Sequence, residues 1–360
     1  MRWLLILLAA CSSSTPHVPL DDSAETETKY GNGMTAYQVT DPSTSRVLQV
    51  EAFYPLASFS DVFYPAVDIT TFDPVHQATY QGLLAAAPSC PSRGLTTMVD
   101  APHMVPGPFP VVMVSHCHAC TRLSNASTAI RLASNGFVVI SVEHAGDNLW
   151  EELDGVDASI DSAELEIRAQ DIRAVMDQLG TSPVADIIDQ TKIGVLGHSM
   201  GAVTAGRVAQ LDSRISAAAA LCAPMDNPLT PGVTLADLKV PLMFMVAQED
   251  NSITELGNKF IRDNYTNAPV PATKIEVADA GHWSVSDLAG LTTGFAPGCG
   301  DGVRQTDGTN FTYLDPIQGR DVAASYTTAF FQATLLGNDG AEEYLERASP
   351  SFNVTVDHHE

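Results

Sequence analysis

The sequence has few basic residues: 18 Lys and Arg stand against 43 Asp and Glu in 360 residues, and the formal net charge is −25. Because so negative a surface repels a phosphate backbone, we expect no nucleic acid among the partners. Long apolar runs are also missing from the start of the chain. The run Trp3 to Ala10 is much shorter than the roughly 20 residues that span a bilayer. No internal repeat is visible.

The apolar run at the start has the form of an export signal, because one basic residue precedes it. We therefore predict a signal peptide over residues 1–10. Its end, Leu8-Ala9-Ala10-Cys11, resembles the bacterial lipoprotein box. The resemblance implies cleavage before Cys11, lipidation of its sulfur and a place in the bacterial cell envelope, with Ser12 favouring the outer membrane. A plain secretory signal with an incidental cysteine is the alternative.

The polar residues 11–29 then predict a flexible tether, so that the membrane contact is through the lipid anchor only.

Five further cysteines follow Cys11, and an exported protein is free to form disulfides. Because five is odd, at least one thiol stays free, and Cys222 in its apolar run is the candidate. Pairing of Cys90 with Cys299 is one possibility, since both lie in loops rich in Pro and Gly. Cys117 and Cys120 have C-x-x-C spacing, but no second pair or His/Cys cluster accompanies them. We therefore expect neither a redox pair nor a metal site there, and the two cysteines are interpreted as loop residues.

Apolar strands and amphipathic helices alternate through most of the chain. After a half-buried strand at 46–55 and a long loop-rich stretch, strands are predicted at 110–116, 137–144, 192–199, 215–223, 240–250 and 272–282. Helices are predicted at 122–137, 162–180, 201–211, 252–265 and 321–337, with Gly136, Gly180 and Gly337 at three of their ends. Strands that are apolar throughout indicate an α/β protein with a doubly wound, mostly parallel sheet and helices on both faces. We expect one domain over residues 30–345 and a polar C-terminal tail over 346–360.

Ser199 lies in the sequence Gly197-His198-Ser199-Met200-Gly201, which matches G-x-S-x-G. A chain that turns sharply from strand into helix holds the serine in a strained conformation and has no room for side chains two positions away. The predicted strand before Ser199 and the predicted helix after it supply that context. We predict that Ser199 is a nucleophile.

A serine hydroxyl needs a base beside it and a carboxylate that orients the base. His282 is the predicted base, because it is the only histidine between Ser199 and the polar tail, which holds His358 and His359. Asp250 is the favoured acid, since it follows an apolar strand at the edge where parallel sheets place their chemistry. Asp226 and Glu249 are the alternatives.

The negative oxygen that forms during attack requires two backbone donors. The N–H of Met200, next to the nucleophile, is predicted to be one of them. The other is expected from the loop after the strand at 110–116, where Cys117 or His118 would supply it.

At this point the sequence resembles the α/β-hydrolases. Within them it resembles the branch of platelet-activating-factor acetylhydrolases and dienelactone-hydrolase-like proteins, and the bacterial cutinase-type polyester hydrolases. The resemblance lies in the segments RVLQVEAFYP, PFPVVMVSHCHACTRLSNASTAIRLASNGFVVISVEHAGD, GHSMGAVTA and DAGHWS, and it covers about Arg46 to Leu291.

Two positions depart from that resemblance. Ser115-His116-Cys117 stands where the branch has S-H-G, which affects the conformation of the loop. Cys222 stands where the acetylhydrolases have their aspartate, so the acid is expected one strand later, at Asp250, as in the dienelactone-like and polyester-cleaving relatives.

Together these features predict an exported serine ester hydrolase without metal or organic cofactor, acting on a small or polymeric ester. Two rival functions remain open. The same residues would serve an acyltransferase or an amidase, and a hydrolase fold that has lost its chemistry would serve as a binding module.

Overall fold

The computed structural model describes residues 29–57, 66–67, 75–87, 94–102, 105–349 and 353–360. The predicted signal peptide, Cys11 and nearly all of the predicted tether lie outside these residues, and so does Cys90. None of the helices in the described part of the chain is both long and apolar enough to cross a membrane.

The strands, numbered along the chain, are β1 Gly31–Thr40, β2 Val47–Leu56, β3 Ala66–Val67, β4 Leu95–Thr96, β5 Met98–Val99, β6 Phe109–Ser115, β7 Val138–Glu143, β8 Ile188–His198, β9 Ile215–Leu221, β10 Leu242–Ala247, β11 Ala272–Val277, β12 Asp301–Val303, β13 Asn310–Thr312 and β14 Val354–His359. The helices are α1 Gln77–Ala86, α2 Ala126–Ser134, α3 Leu149–Leu153, α4 Ser162–Met176, α5 Met200–Leu211, α6 Thr254–Asn267, α7 Pro316–Leu336 and α8 Asp339–Leu345.

Ten strands form one sheet in the order β14-β11-β10-β9-β8-β6-β7-β2-β1-β5. The six strands from β11 to β7 in this order run parallel to their neighbours. β2 joins β7 in the antiparallel direction, and β1 joins β2 in the same way. This confirms the predicted mostly parallel sheet, whose central strands all end at the same edge.

Both faces of the sheet are apolar, which explains why the central strands lack polar alternation. In β6, Val112 and Val114 pack on one side with α2, α7 and α8, and Val111 and Met113 pack on the other side with α4 and α5. Each face therefore has its own core, and the sheet lies between two layers of helices.

The C-terminal segment and the end of α4 differ from the sequence-based expectation. The residues expected as a polar tail include β14, which pairs antiparallel with β11 and covers its edge. His358 and His359 are part of this strand: their side chains lie 3.0 Å from Thr273 Oγ1 and 3.0 Å from the backbone oxygen of Tyr265. α4 ends at Met176, and Gly180 lies instead in a separate 3-10 turn, Leu179–Thr181. Of the three glycines that the sequence places at helix ends, Gly136 and Gly337 have the expected positive φ and Gly180 does not.

A buried polar network begins at the carboxyl end of β6. The Ser115 hydroxyl lies 2.9 Å from Nε2 of His144, and Nδ1 of that ring lies 3.1 Å from Asp171. Asp171 also forms an ion pair with Arg46 at 2.9 Å. Burial, and then the charge of Arg168, lower the pKa of His144 to about 4, so the ring is neutral. Its Nδ1–H therefore donates to the Asp171 carboxylate.

The neutral state of His144 predicts a pH dependence of stability. The pKa of this residue is about 4 in the folded protein, whereas a histidine of an unfolded chain has its ordinary pKa of 6.5, so the unfolded state binds more protons between these values. We expect this residue to lower the free energy of unfolding as the pH falls through that window, by up to ~1.4 kcal/mol per pH unit. His144→Gln should flatten the slope, measured by urea unfolding at several pH values. An unchanged slope in the variant would contradict the assignment.

Candidate active site

Ser199 lies in a sharp turn between the end of β8 and the start of α5. Its backbone has φ 56° and ψ −122°, a conformation that residues with a side chain rarely adopt. A Cβ on Gly197 would lie 1.8 Å from the oxygen of Gly201, and a Cβ on Gly201 would lie 2.0 Å from the oxygen of Ser115. The two glycines are therefore required by contacts within the turn and with β6, as the sequence predicts.

His282 and Asp250 meet above the carboxyl ends of β10 and β11. Nδ1 of His282 lies 2.6 Å from Oδ2 of Asp250, and both side chains are buried. Oδ1 of Asp250 accepts hydrogen bonds from the backbone N–H groups of Ser252 and Ile253, each at 3.0 Å. One carboxylate oxygen thus fixes the loop while the other is directed at the imidazole.

The two alternative acids make other contacts. Glu249 pairs with Arg304 at 2.8 Å and accepts a hydrogen bond from the backbone N–H of Gln305 at 3.1 Å. Asp226 accepts a hydrogen bond from the N–H of Leu235 at 2.9 Å, within the loop that follows β9. Among the three candidates, Asp250 is the one with a described contact to His282.

Ser199 and His282 line the same cavity, which has a volume of about 310 Å³. Met200 and His118 line it as well, whereas Cys117 is fully buried and does not. The remaining lining residues are Ala119, Glu152, Ile160, Val203, Ala223, Asn227, Thr230, Ser252, Ile253, Trp283, Gly294 and Phe295. The predicted nucleophile, base and both loop elements of the predicted oxyanion site therefore meet in one place.

Cys117 and Cys120 form a disulfide, which the sequence reasoning did not expect. Between them, Nδ1 of His118 lies 2.8 Å from Oδ1 of Asp147, and this contact with the carboxylate raises the pKa of His118. Burial opposes ionisation of Asp147, but the charge of Arg168 and the contact with His118 hold its pKa below its usual value.

The remaining cysteines are placed as follows. Cys222 is a buried free thiol, as predicted, and burial followed by the charge of Asp250 raises its pKa well above the ordinary value. Its neutral thiol takes no part as a base or an acid at moderate pH. Cys299 is in a disulfide, and since Cys90 lies outside the described residues, their pairing stays a prediction.

His198 is a residue near the site that sequence reasoning missed. Its Nε2–H donates to the backbone oxygen of His282 at 3.0 Å, and burial followed by the nearby His282 lowers its pKa well below the ordinary value. A neutral His198 therefore supports the loop that carries the imidazole without adding a charge beside it. Its place inside the motif gives no signal for this contact, which joins residues 84 positions apart.

The hairpin of β12 and β13 was also missed. Arg304 at its turn pairs with both Glu249 and Asp279, at 2.8 and 2.5 Å, and Gln305 donates to the backbone oxygen of Asp250 at 2.5 Å. These contacts connect the loop that carries Asp250 with the loop that leads to His282. In the described part of the chain, no group of three or more His, Cys, Asp or Glu residues is arranged to hold a metal ion.

The sheet, the two helical layers and the turn at Ser199 define an α/β-hydrolase fold. A solved structure of a ferulic acid esterase from Streptomyces cinnamoneus matches with a TM-score of 0.66 and 21% identity, covering 91% of this chain and 96% of that chain. At this identity the match concerns the fold. A family model described as "PETase: PET hydrolase-like" matches residues 96–294, more than half of the sequence. The chain belongs to this PET hydrolase-like family.

Two curated relatives are similar over shorter stretches. Cutinase est2 of Thermobifida alba is 27% identical over 186 residues, which are 49% of this chain and 53% of that protein. Lipase 1 of Moraxella sp. (strain TA144) is 29% identical over 157 residues, which are 43% of this chain and 42% of that protein. The chain thus spans about half the length of the curated relatives it matches. The predicted resemblance to cutinase-type polyester hydrolases is confirmed.

The contacts at Gly201 predict the effect of a single methyl group. Gly201→Ala would place a Cβ 2.0 Å from the Ser115 oxygen, so either β6 or the turn at Ser199 must move. We expect a loss of stability of about 1–3 kcal/mol, typical of overpacking with backbone displacement, measured by urea unfolding. Gly82→Ala is the matched control, because that glycine lies in α1 with no atom within 4 Å of an added Cβ. Equal stability of the two variants would contradict the steric argument.

Proposed function

We propose that the protein is a serine ester hydrolase in which Ser199, His282 and Asp250 act together. The proposal rests on one observation: the His282 imidazole is hydrogen-bonded to the buried Asp250 at 2.6 Å and shares a cavity with Ser199, which lies in a strained turn. Membership of the PET hydrolase-like family supports the same reaction class.

In the proposed reaction the Ser199 Oγ attacks the ester carbonyl carbon while Nε2 of His282 takes the hydroxyl proton. The tetrahedral intermediate collapses, the C–O bond to the alcohol breaks, and His282 returns the proton to the leaving oxygen. Water then attacks the acyl-enzyme with His282 again as the base, and the acid is released. Asp250 keeps the proton of the imidazole on Nδ1 and stabilises the imidazolium.

The negative oxygen of the intermediate requires donors that face the cavity. We assign these to the N–H groups of Met200 and His118. Met200 is the first residue of α5, where N–H groups have no acceptor within the helix. Of the two residues that the sequence offers in the other loop, His118 lines the cavity and Cys117 does not. Every proton in these steps moves between substrate, water and protein side chains, so the proposal invokes no cofactor.

The cavity wall favours an apolar ester. Six of its side chains are large and apolar, namely Ile160, Met200, Val203, Ile253, Trp283 and Phe295. Trp283 and Phe295 pack against each other with ring centroids 4.7 Å apart, next to His282. We propose polyesters among the substrates, because relatives include a cutinase and the family is PET hydrolase-like.

Export and lipidation of Cys11 belong to the same proposal. A polymer cannot enter the cell, so an enzyme that acts on it must reach the outside. The test is mass spectrometry of the mature protein from a bacterial envelope fraction, which should show a lipid-modified Cys11 at its start.

The triad predicts a large loss of activity on substitution. Ser199→Ala should abolish hydrolysis of p-nitrophenyl butyrate, and Asp250→Asn should lower kcat about 10⁴-fold because the imidazole loses its orienting partner. Asp226→Asn is the matched control and should stay within about threefold of the wild type. Steady-state kinetics and labelling by a fluorophosphonate probe measure both effects. Turnover retained by folded Ser199→Ala would reject the mechanism, and a wild type that neither labels nor turns over would favour a binding module.

A second prediction concerns the polymer. Ile160 lines the cavity and is 57% exposed, so its side chain is open to a long substrate. Ile160→Ser should reduce product release from a polyester film about fivefold, equal to ~1 kcal/mol, and leave p-nitrophenyl acetate hydrolysis nearly unchanged. Ile317→Ser, on α7 and 50% exposed, is the control. Equal film activity of both variants would argue against polymer contact at this wall.

A further inference from the structure

The loop between β6 and α2 holds His118 in the cavity by an unusual set of contacts. Cys117 and Cys120 form a disulfide that closes a ring around His118 and Ala119. Ala119 has φ 52°, a left-handed conformation that is costly for a residue with a side chain. Such a conformation persists only where the surrounding structure enforces it, and such residues cluster at functional sites.

The first constraint on this loop is covalent. The disulfide joins two fully buried cysteines, and the N–H of Cys120 also donates to the oxygen of Cys117 at 3.3 Å. The oxygen of Cys120 accepts a hydrogen bond from the N–H of Leu149 at 2.8 Å. The ring is therefore closed on itself and tied to the loop that follows β7.

The second constraint is a buried ion pair. Oδ1 of Asp147 accepts a hydrogen bond from the N–H of Ala119 at 2.8 Å and lies 2.8 Å from Nδ1 of His118. Its other oxygen pairs with Arg168, which also donates to the backbone oxygen of His116. Asp147 and Arg168 are fully buried, so neither charge is screened by water. Together they hold the loop from both ends of the ring.

We propose that the Cys117–Cys120 disulfide and Asp147 are positioning residues that direct the N–H of His118 at the oxyanion. The inference rests on the proposed ester hydrolysis and adds to it how this chain holds its second oxyanion donor. A preorganised donor stabilises the transition state more than the bound ester, so its displacement should lower kcat and leave KM almost unchanged. A disulfide that only stabilises the fold would instead change the free energy of unfolding, without a selective loss of kcat at nearly constant KM.

The first test removes the disulfide. Cys117→Ser combined with Cys120→Ser should lower kcat for p-nitrophenyl butyrate by about 10- to 100-fold, with KM within about threefold, in protein that unfolds cooperatively. The Ki of a trifluoromethyl ketone, whose adduct places a negative oxygen in the site, should rise by the same factor as kcat/KM falls. The Ki of the corresponding unreactive secondary alcohol should not change. Equal kcat and equal ketone affinity in variant and wild type would overturn the proposal.

The second test keeps the disulfide and covers the case in which the double variant does not fold. In Asp147→Asn, one side-chain oxygen has to serve both Ala119 and Arg168, and the amide NH₂ repels whichever partner it faces. We expect the same selective loss of kcat and of ketone affinity.

Asp171→Asn is the matched control for that variant. Asp171 is equally buried, pairs with Arg46 and His144, and has no described contact with residues 116–120. Asp171→Asn should lower the free energy of unfolding about as much as Asp147→Asn does, and should keep kcat within about threefold of the wild type. Equal losses of kcat in both aspartate variants would mean that the network acts through stability alone, which overturns the proposal. A wild type that does not hydrolyse esters would overturn the proposed function and this inference together.

Discussion

The close approach of α5 to the ends of β6 and β8 is the constraint on which the rest of the site depends. At Gly201 the helix lies so near the Ser115 oxygen that a Cβ would fall 2.0 Å from it. The approach forces the preceding turn residue, Ser199, into a backbone conformation with φ 56°. Ser199 and the first residue of the helix, Met200, then line the same cavity, and the first N–H groups of a helix have no acceptor within it. Parallel strands then bring the loops of β10 and β11 to that edge, where Asp250 and His282 meet.

Backbone strain is distributed along this edge and not confined to Ser199. Eight described residues other than glycine have positive φ, and five of them follow one central strand each: Ala119 after β6, Ser199 after β8, Cys222 after β9, Thr254 after β10 and Asp279 after β11. Each costs free energy that other contacts must offset. The contacts are visible in this molecule. Asp147 accepts a hydrogen bond from the N–H of Ala119, Leu221 accepts one from the N–H of Ser199, and Arg304 pairs with Asp279. The partner is thus a buried carboxylate at Ala119, a backbone oxygen at Ser199 and a partly exposed ion pair at Asp279.

Much of this arrangement could be predicted from the sequence, because local patterns determine it. Apolar strands that alternate with amphipathic helices indicate the parallel sheet, and the two glycines around Ser199 indicate the turn. The expected chain order of nucleophile, acid and base, which Ser199, Asp250 and His282 follow, leaves few candidate residues for the acid and the base. Several of the missed features depend on contacts between distant segments. Arg168 pairs with Asp147 across 21 positions, Arg304 meets Glu249 across 55, and β14 closes the sheet against β11. No local pattern marks such partners, and the C-x-x-C spacing alone did not distinguish a loop disulfide from unpaired cysteines.

The place of the acid shows which property of the site the fold maintains. β9 and β10 are adjacent and parallel, with Leu221 opposite Met245, and the N–H of Cys222 donates to the Met245 oxygen. Cys222 and Asp250 therefore stand at neighbouring strand ends, close enough that the carboxylate raises the thiol pKa. A side chain at either strand end approaches the same region of the sheet edge. In the proposed mechanism His282 requires a carboxylate at Nδ1, whatever the sequence position of that carboxylate. A neutral thiol at the end of β9 is therefore compatible with an acid supplied after β10. The loop after β10 carries Asp250 to His282. Asp250 holds this loop in place by accepting hydrogen bonds from the backbone N–H groups of Ser252 and Ile253.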